Sequence, residues 1–197
     1  DVADAAALQA KVGALVAARP VHILINNTGG PPGGRAIEAG ADDYLAAFQR
    51  HLLANQSFAQ LTVPGMREAG WGRIVNVVST SVKEPIANLG VSNTIRGAVA
   101  SWAKTLSKEL GADGITVNNV LPGYTRTQRL AQILRDRVQA TGKDETAISA
   151  AMLATVPTGR FAEAHEIAAA IAFLASPAAA YITGVSLAVD GGRMQSI

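Results

Sequence analysis

The chain has 197 residues, a net charge of +2 from 17 Lys and Arg against 15 Asp and Glu, 49% hydrophobic residues and no cysteine. That length suits one domain burying roughly 70% of the surface its unfolded form exposes, and the lack of cysteine excludes a disulfide framework, a zinc ribbon and a cysteine nucleophile. The longest apolar run, Ile167 to Ala175, falls well short of the ~20 residues that span a bilayer, and with 5% aromatic residues and no basic run nucleic-acid binding has little support.

Residue 1 is Asp, and no basic-then-apolar leader precedes it. The composition predicts a cytoplasmic, Ala- and Gly-rich α/β domain, and the start predicts the remainder of a longer chain.

In chain order, a helical stretch at 5–18 leads to the β-branched run 21–25, which ends in Asn26-Asn27-Thr28-Gly29-Gly30. A long helical stretch at 42–68 precedes the run 72–78, which ends in Ser79-Thr80-Ser81. Helix 91–111 carries Val91, Ile95, Ala98, Val99, Trp102 and Leu106 at three- and four-residue spacing, with Gly111 as a stop. Strand 115–120 ends in Pro122-Gly123, helices follow at 128–140, 145–155 and 163–175, and a last strand at 185–189 ends in Asp190-Gly191-Gly192. Short apolar runs read as strands buried on both faces of a parallel sheet, joined by right-handed crossovers. In such a sheet ligands bind beyond the carboxyl ends of the strands, which directs attention to residues 26–30, 79–81 and 122–125.

Several motifs fail on inspection. Gly29 to Ala36 echoes a P-loop, but Arg35 and Ala36 replace the Lys and the hydroxyl, and Pro31 and Pro32 remove amide donors. A turn is the simpler reading. His165-Glu166 lacks a second His at Ala169, so no metal site is expected. Arg126, Arg129, Arg135 and Arg137 suit either an acidic substrate or a solvated helix face, with the face favoured.

Taken together, Asn26-Asn27-Thr28-Gly29, Pro64-Gly65-Met66, Gly72 to Asn76 leading to Ser79, Asn118 to Gly123, Phe173 to Ser176, Ile182-Thr183-Gly184 and Val189 to Gly192 resemble the short-chain dehydrogenase/reductase family. The closest likeness is to its 3-oxoacyl-carrier-protein reductases. The resemblance implies a Rossmann-type doubly wound parallel sheet with helices on both faces. It also implies an NAD or NADP cofactor and hydride transfer between a small-molecule carbonyl and its alcohol. The family's first three strands and Gly-rich phosphate turn, roughly 60 residues, have no counterpart here. The strand at 21–27 would then be a bare apolar edge. On this reading residues 1–197 form one domain, 124–160 is the substrate-binding loop lined by Met152 and Leu153, and the chain forms homodimers or homotetramers.

The same likeness implies cofactor contacts from Asp1, Val2, Asn27, Thr28, Gly29, Arg96, Pro122, Gly123 and Thr125. The family's Tyr, thirteen residues after the Ser, and its Lys, four further on, fall on Ser92 and Arg96, so the expected catalytic set is Ser79, Ser92, Arg96 and His51, the last at the family's relay Asn. An alkyl hydroxyl is far less acidic than a phenol at ~10, so the proton must come from elsewhere or catalysis is lost. His51 and Tyr124 are the candidate donors, against drift at one position and a surface Tyr at the other. The competing reading is a nucleotide-binding or scaffold protein that kept the fold without the chemistry.

Overall fold

A computed structural model of the chain describes residues 1–196. Helix α1 (Ala5–Ala18) starts at Asp4, whose carboxylate accepts from the Ala7 amide at 2.9 Å. Strand β1 (Ile23–Asn26) is followed by α2 (Ala41–Phe48), a π-helical turn (Gln49–Leu53) and α3 (Ala54–Ala69). The single helix expected at 42–68 is therefore interrupted, and the insertion falls on His51. Next come β2 (Gly72–Val77), α4 (Gly90–Glu109), β3 (Ile115–Pro122), α5 (Gln128–Thr141), α6 (Glu145–Leu153), α7 (Ala164–Ala175) and β4 (Ser186–Val189).

The four strands form one parallel sheet in the order β1-β2-β3-β4. Side chains alternate across it. Ile74, Ile115 and Val117 pack under α3 and α4 with Ala59, Val63, Met66 and Ala103, while Val75 and Val120 meet Ile167 and Leu174 of α7 on the other face. Helices thus cover both faces, as a doubly wound sheet requires. β2 and β3 are buried nearly throughout. The outer strands are not: Ile23 and Ile25 are 45% and 40% exposed, because α7 packs over β2 and β3 and leaves the same face of β1 open.

A polar ladder crosses this apolar sheet. Asn26, Asn76, Asn119 and Ser186 stand at matched register positions. Asn26 Nδ2 donates to Asn76 Oδ1 (2.8 Å), Asn76 Nδ2 to Asn119 Oδ1 (3.0 Å) and Asn119 Nδ2 to Ser186 Oγ (3.1 Å). The chain of carboxamides satisfies buried groups that would otherwise each cost about 1–3 kcal/mol. Asn26 Oδ1, at the β1 end, has no partner.

Close approach fixes one glycine at the carboxyl end of the sheet. A Cβ at Gly123 would stand 2.6 Å from the Asp190 Cα, so β3 and the turn after β4 touch backbone to backbone there.

Candidate functional site

The carboxyl ends of β1, β2 and β3 open on a cleft of about 830 Å³. Its walls include Asn27 to Gly30, Ser79, Thr80, Ser92, Pro122 to Thr125, Arg129 and Arg193. Ser79 caps a short 3-10 turn, and its Oγ accepts from the Ser81 amide at 3.1 Å. With that lone pair engaged, the hydroxyl proton is free to donate. Ser92, in the first turn of α4, is 7% exposed and borders the same cleft.

Arg96 lies one helical turn beyond Ser92, on the same face. Its guanidinium donates to the Val77 carbonyl (3.0 Å) and the Thr28 carbonyl (3.5 Å), fastening α4 to the ends of β1 and β2. Burial, with the Arg129 charge nearby, lowers its pKa to about 10, so it stays cationic at neutral pH. Arg129 reaches across from α5 and donates to the Pro31 carbonyl at 2.8 Å. A Cβ at Gly30 would sit 3.6 Å from a terminal nitrogen of each arginine, so the two guanidiniums converge on one spot.

His51 lies to the side. It is 2% exposed and borders a second cavity of about 390 Å³, formed with residues 31–35 and α2, rather than the main cleft. Its Nδ1 lies 2.6 Å from Thr28 Oγ1, and its Nε2 has no partner. Burial first, then the Arg96 and Arg50 charges, bring its pKa down from 6.5 to about 4. The ring is neutral at physiological pH, and Thr28 connects it to the cleft.

Other expected positions divide. Asn27, Thr28, Gly29, Pro122, Gly123 and Thr125 all line the cleft. Asp1 and Val2 do not: Asp1 is exposed and its carboxylate accepts from the Ala3 amide. Met152 is 2% exposed and packs with Leu130, Leu134, Ile148 and Phe161 while Leu153 rests on that cluster, so neither lines the cleft. Their side chains hold α5 against α6 instead.

The arginine cluster, favoured as a solvated face, splits. Arg126 pairs with Glu163 at 3.1 Å and Arg135 bonds Gln132 in solvent, whereas Arg129 and Arg137 are half-buried on the cleft. Tyr124 is no surface residue either; it lines the cleft, edge-on to Phe161. Arg193 was missed. The available signal was a cation placed directly after the glycine turn that closes a strand at the sheet's carboxyl end.

A parallel α/β sheet with a cleft beyond the carboxyl ends of its strands has the layout in which open α/β folds bind their ligands. The sequence profile of a family described as Enoyl-(Acyl carrier protein) reductase matches residues 1–193. NADPH-dependent reductase BacG of Bacillus subtilis is 31% identical over 177 residues, 90% of this chain and 68% of that protein. The 3-oxoacyl-[acyl-carrier-protein] reductase FabG of Vibrio cholerae is 34% identical over 174 residues, 87% of this chain and 66% of that protein.

Among solved structures, YwfH, an NADPH-dependent reductase involved in bacilysin biosynthesis, superposes with a TM-score of 0.94 at 30% identity. L-sorbose reductase from Gluconobacter frateurii, solved with NADPH and L-sorbose, does so with 0.91 at 28%. Each comparison covers all of this chain and 76% of the other. The chain belongs to the short-chain dehydrogenase/reductase family, on its 3-oxoacyl-carrier-protein reductase-like side.

Proposed function

We propose that the protein is an NAD(P)-dependent oxidoreductase that interconverts a small-molecule carbonyl and its alcohol with an altered proton donor. The observation that carries this reading is the convergence of Ser79, Ser92 and Thr28 on one cleft beyond the strand ends, with the Arg96 guanidinium bonded to the Thr28 carbonyl behind that wall. BacG, YwfH and the sorbose reductase are NADPH-linked by name, which supports the cofactor.

The residues present fit a dinucleotide. Nothing lies within 4 Å of where a Cβ on Gly29 would stand, leaving room for close approach, and two guanidiniums meet by Gly30 to receive hydroxyl or phosphate oxygens. Asn27 to Gly29, Pro122, Gly123, Thr125, Arg96 and Arg129 would hold it, and the bound nicotinamide supplies the hydride.

The chain's own task is then to bind the carbonyl and deliver a proton. Ser79 holds the carbonyl oxygen by a hydrogen bond from its free hydroxyl and keeps its proton. Arg96 supplies positive charge from behind the Thr28 wall of the cleft. Ser92 cannot replace a phenol as acid, because an alkyl hydroxyl holds its proton far more tightly. Two routes remain: Tyr124 directly from the cleft wall, or Thr28 with neutral His51 behind it as a relay to the second cavity. His51 on that route positions and passes a proton through Thr28 without touching substrate.

The segment 124–160 serves as the substrate-binding loop, α5 forming the wall opposite Gly30. The exposed side chains Leu45, Phe48 and Leu53 on one helical stretch, with Val185 just before β4 and Leu187 within it, support homodimers or homotetramers.

The test is titration with NADH and NADPH followed by a panel of ketones and alcohols. Binding with turnover supports the oxidoreductase reading. Binding without turnover of any substrate favours a nucleotide-binding protein that has lost the chemistry, as the alkyl hydroxyl at position 92 would allow.

A further inference from the structure

Four guanidiniums of the chain are matched by carboxylates: Arg35 by Glu38, Arg67 by Asp113, Arg126 by Glu163 and Arg160 by Glu166. None of these four lines the main cleft. The cations that do, Arg129, Arg137 and Arg193, have no carboxylate within ion-pairing distance among the described residues, and no Asp or Glu contributes to the cleft's walls. A concave site carrying one sign of charge concentrates ligands of the opposite sign. A guanidinium favours the planar, two-oxygen face of a carboxylate or phosphate.

Arg193 stands out among the three. It follows the Gly191-Gly192 turn, both of whose residues adopt positive φ. Its guanidinium lies 4.6 Å over the Tyr124 ring and donates to Thr80 Oγ1 at 3.2 Å, while its Nε is buried with no acceptor among the described residues. Thr80 follows Ser79 in the chain, and Ser79, Thr80 and Arg193 all line the cleft, so this charge shares the cleft with the hydroxyl that meets the carbonyl.

The chain end is built to hold it there. Asp190 accepts from the Met194 amide at 2.8 Å, and Glu84 Oε1 accepts from the Gln195 and Ser196 amides, both at 2.7 Å. Glu84 is the acid whose field Arg193 shares, yet it forms no ion pair with Arg193. An incoming anion would meet the outer, cleft-facing side of this guanidinium, which no carboxylate of the described residues neutralises. The other convergent pair, Arg96 and Arg129, lies by Gly30 on the side given above to the cofactor.

We infer that the substrate is an anionic carbonyl compound whose carboxylate or phosphate is held by Arg193 beside Ser79. This rests on the oxidoreductase reading and narrows it to a substrate class.

The experiment is calorimetric titration of the purified protein, with and without NADPH, against two matched pairs of probes. One pair is 2-oxo-4-phenylbutanoate and its ethyl ester; the other is dihydroxyacetone phosphate and dihydroxyacetone. The expected result is that the anionic member of at least one pair binds about tenfold more tightly than its neutral partner. The pair that shows the preference tells a carboxylate from a phosphate site. Arg193→Gln should abolish the preference and Arg193→Lys should keep part of it, with melting temperature and NADPH affinity close to those of the parent.

Equal binding of charged and neutral probes, no binding of any probe, or a preference that survives Arg193→Gln overturns the inference. So does an equal loss of NADPH affinity in that variant, which would assign the guanidinium to the cofactor. If the parent protein binds no NADPH, the oxidoreductase reading fails, and the cofactor-free titrations still decide whether Arg193 selects anions.

Discussion

Thr28 Oγ1 and His51 Nδ1 stand 2.6 Å apart across the junction between β1 and the π-helical turn. The contact joins the main cleft to the smaller cavity behind it. It also places an imidazole where burial and two arginines oppose its protonation. π-Helical insertions recur at functional sites because the extra residue re-aims a side chain, and here the re-aimed side chain is His51.

A pH dependence follows. His51 has a folded pKa of about 4 against an unfolded value of 6.5, so the unfolded chain binds the proton more readily. The stabilisation is complete above pH 6.5 and is lost as the pH falls toward 4. Urea unfolding across this window should show stability rising with pH, and His51→Asn should flatten that rise. Thr28→Val should cost about 1 kcal/mol through the lost hydrogen bond. If the pair relays protons, His51→Asn lowers kcat and changes the pH–rate profile with NADPH affinity unchanged.

On the proposed reading, placing on α4 the Tyr and Lys that the family resemblance implies should raise activity. In Ser92→Tyr combined with Arg96→Lys, a phenol and an ammonium occupy the cleft face of α4. The double variant is expected to oxidise NADPH against a suitable ketone about 100-fold faster than the parent. A rate no higher than the parent's would mean that the acid is already supplied, and Tyr124→Phe in the parent would then identify it.

The arginine pair by Gly30 should report on the cofactor. Arg129→Gln removes one of two guanidiniums that converge there, together with the bond to the Pro31 carbonyl. NADPH affinity is expected to fall about tenfold by fluorescence titration, with a steeper dependence on salt in the parent than in the variant.

Asn76 carries two rungs of the ladder. Asn76→Ala would leave Asn26 Nδ2 and Asn119 Oδ1 buried without partners, at a cost of about 3 kcal/mol in chemical denaturation. Gly123→Ala tests the adjoining close approach: its Cβ would meet the Asp190 backbone at 2.6 Å. About 2 kcal/mol of destabilisation is expected from the forced separation of β3 and the turn after β4.

The elements were legible because their signals are local. The apolar spacing of Val91, Ile95 and Val99 and the β-branched run at Ile74 and Val75 each specify helix or strand without outside help. Ser79 and Gly123 were placed by the strands they follow, whereas Ser92 was reached only through the family resemblance, thirteen residues after Ser79.

What the sequence did not reveal depends on contacts between distant segments. Arg129 and Arg135 differ by six positions on one helix, and only the docking of α5 decides that one faces the cleft and the other water. The displacement of His51 from the cleft depends on one π-helical turn, which no spacing rule anticipates. Arg193 enters the site only because Glu84, more than a hundred residues earlier, anchors the tail beyond it.

The carboxamide rungs at Asn26, Asn76 and Asn119 also govern alignment. Sliding any strand by one residue would turn its amide to the opposite face, among Val75, Val120 and Ile167, with nothing to bond. The strands therefore cannot creep past one another, and the loops that rise from their ends start at a common height. Chemistry that needs groups from three separate loops to meet within a hydrogen bond's length thus inherits its tolerance from a row of buried side chains that never touches a ligand.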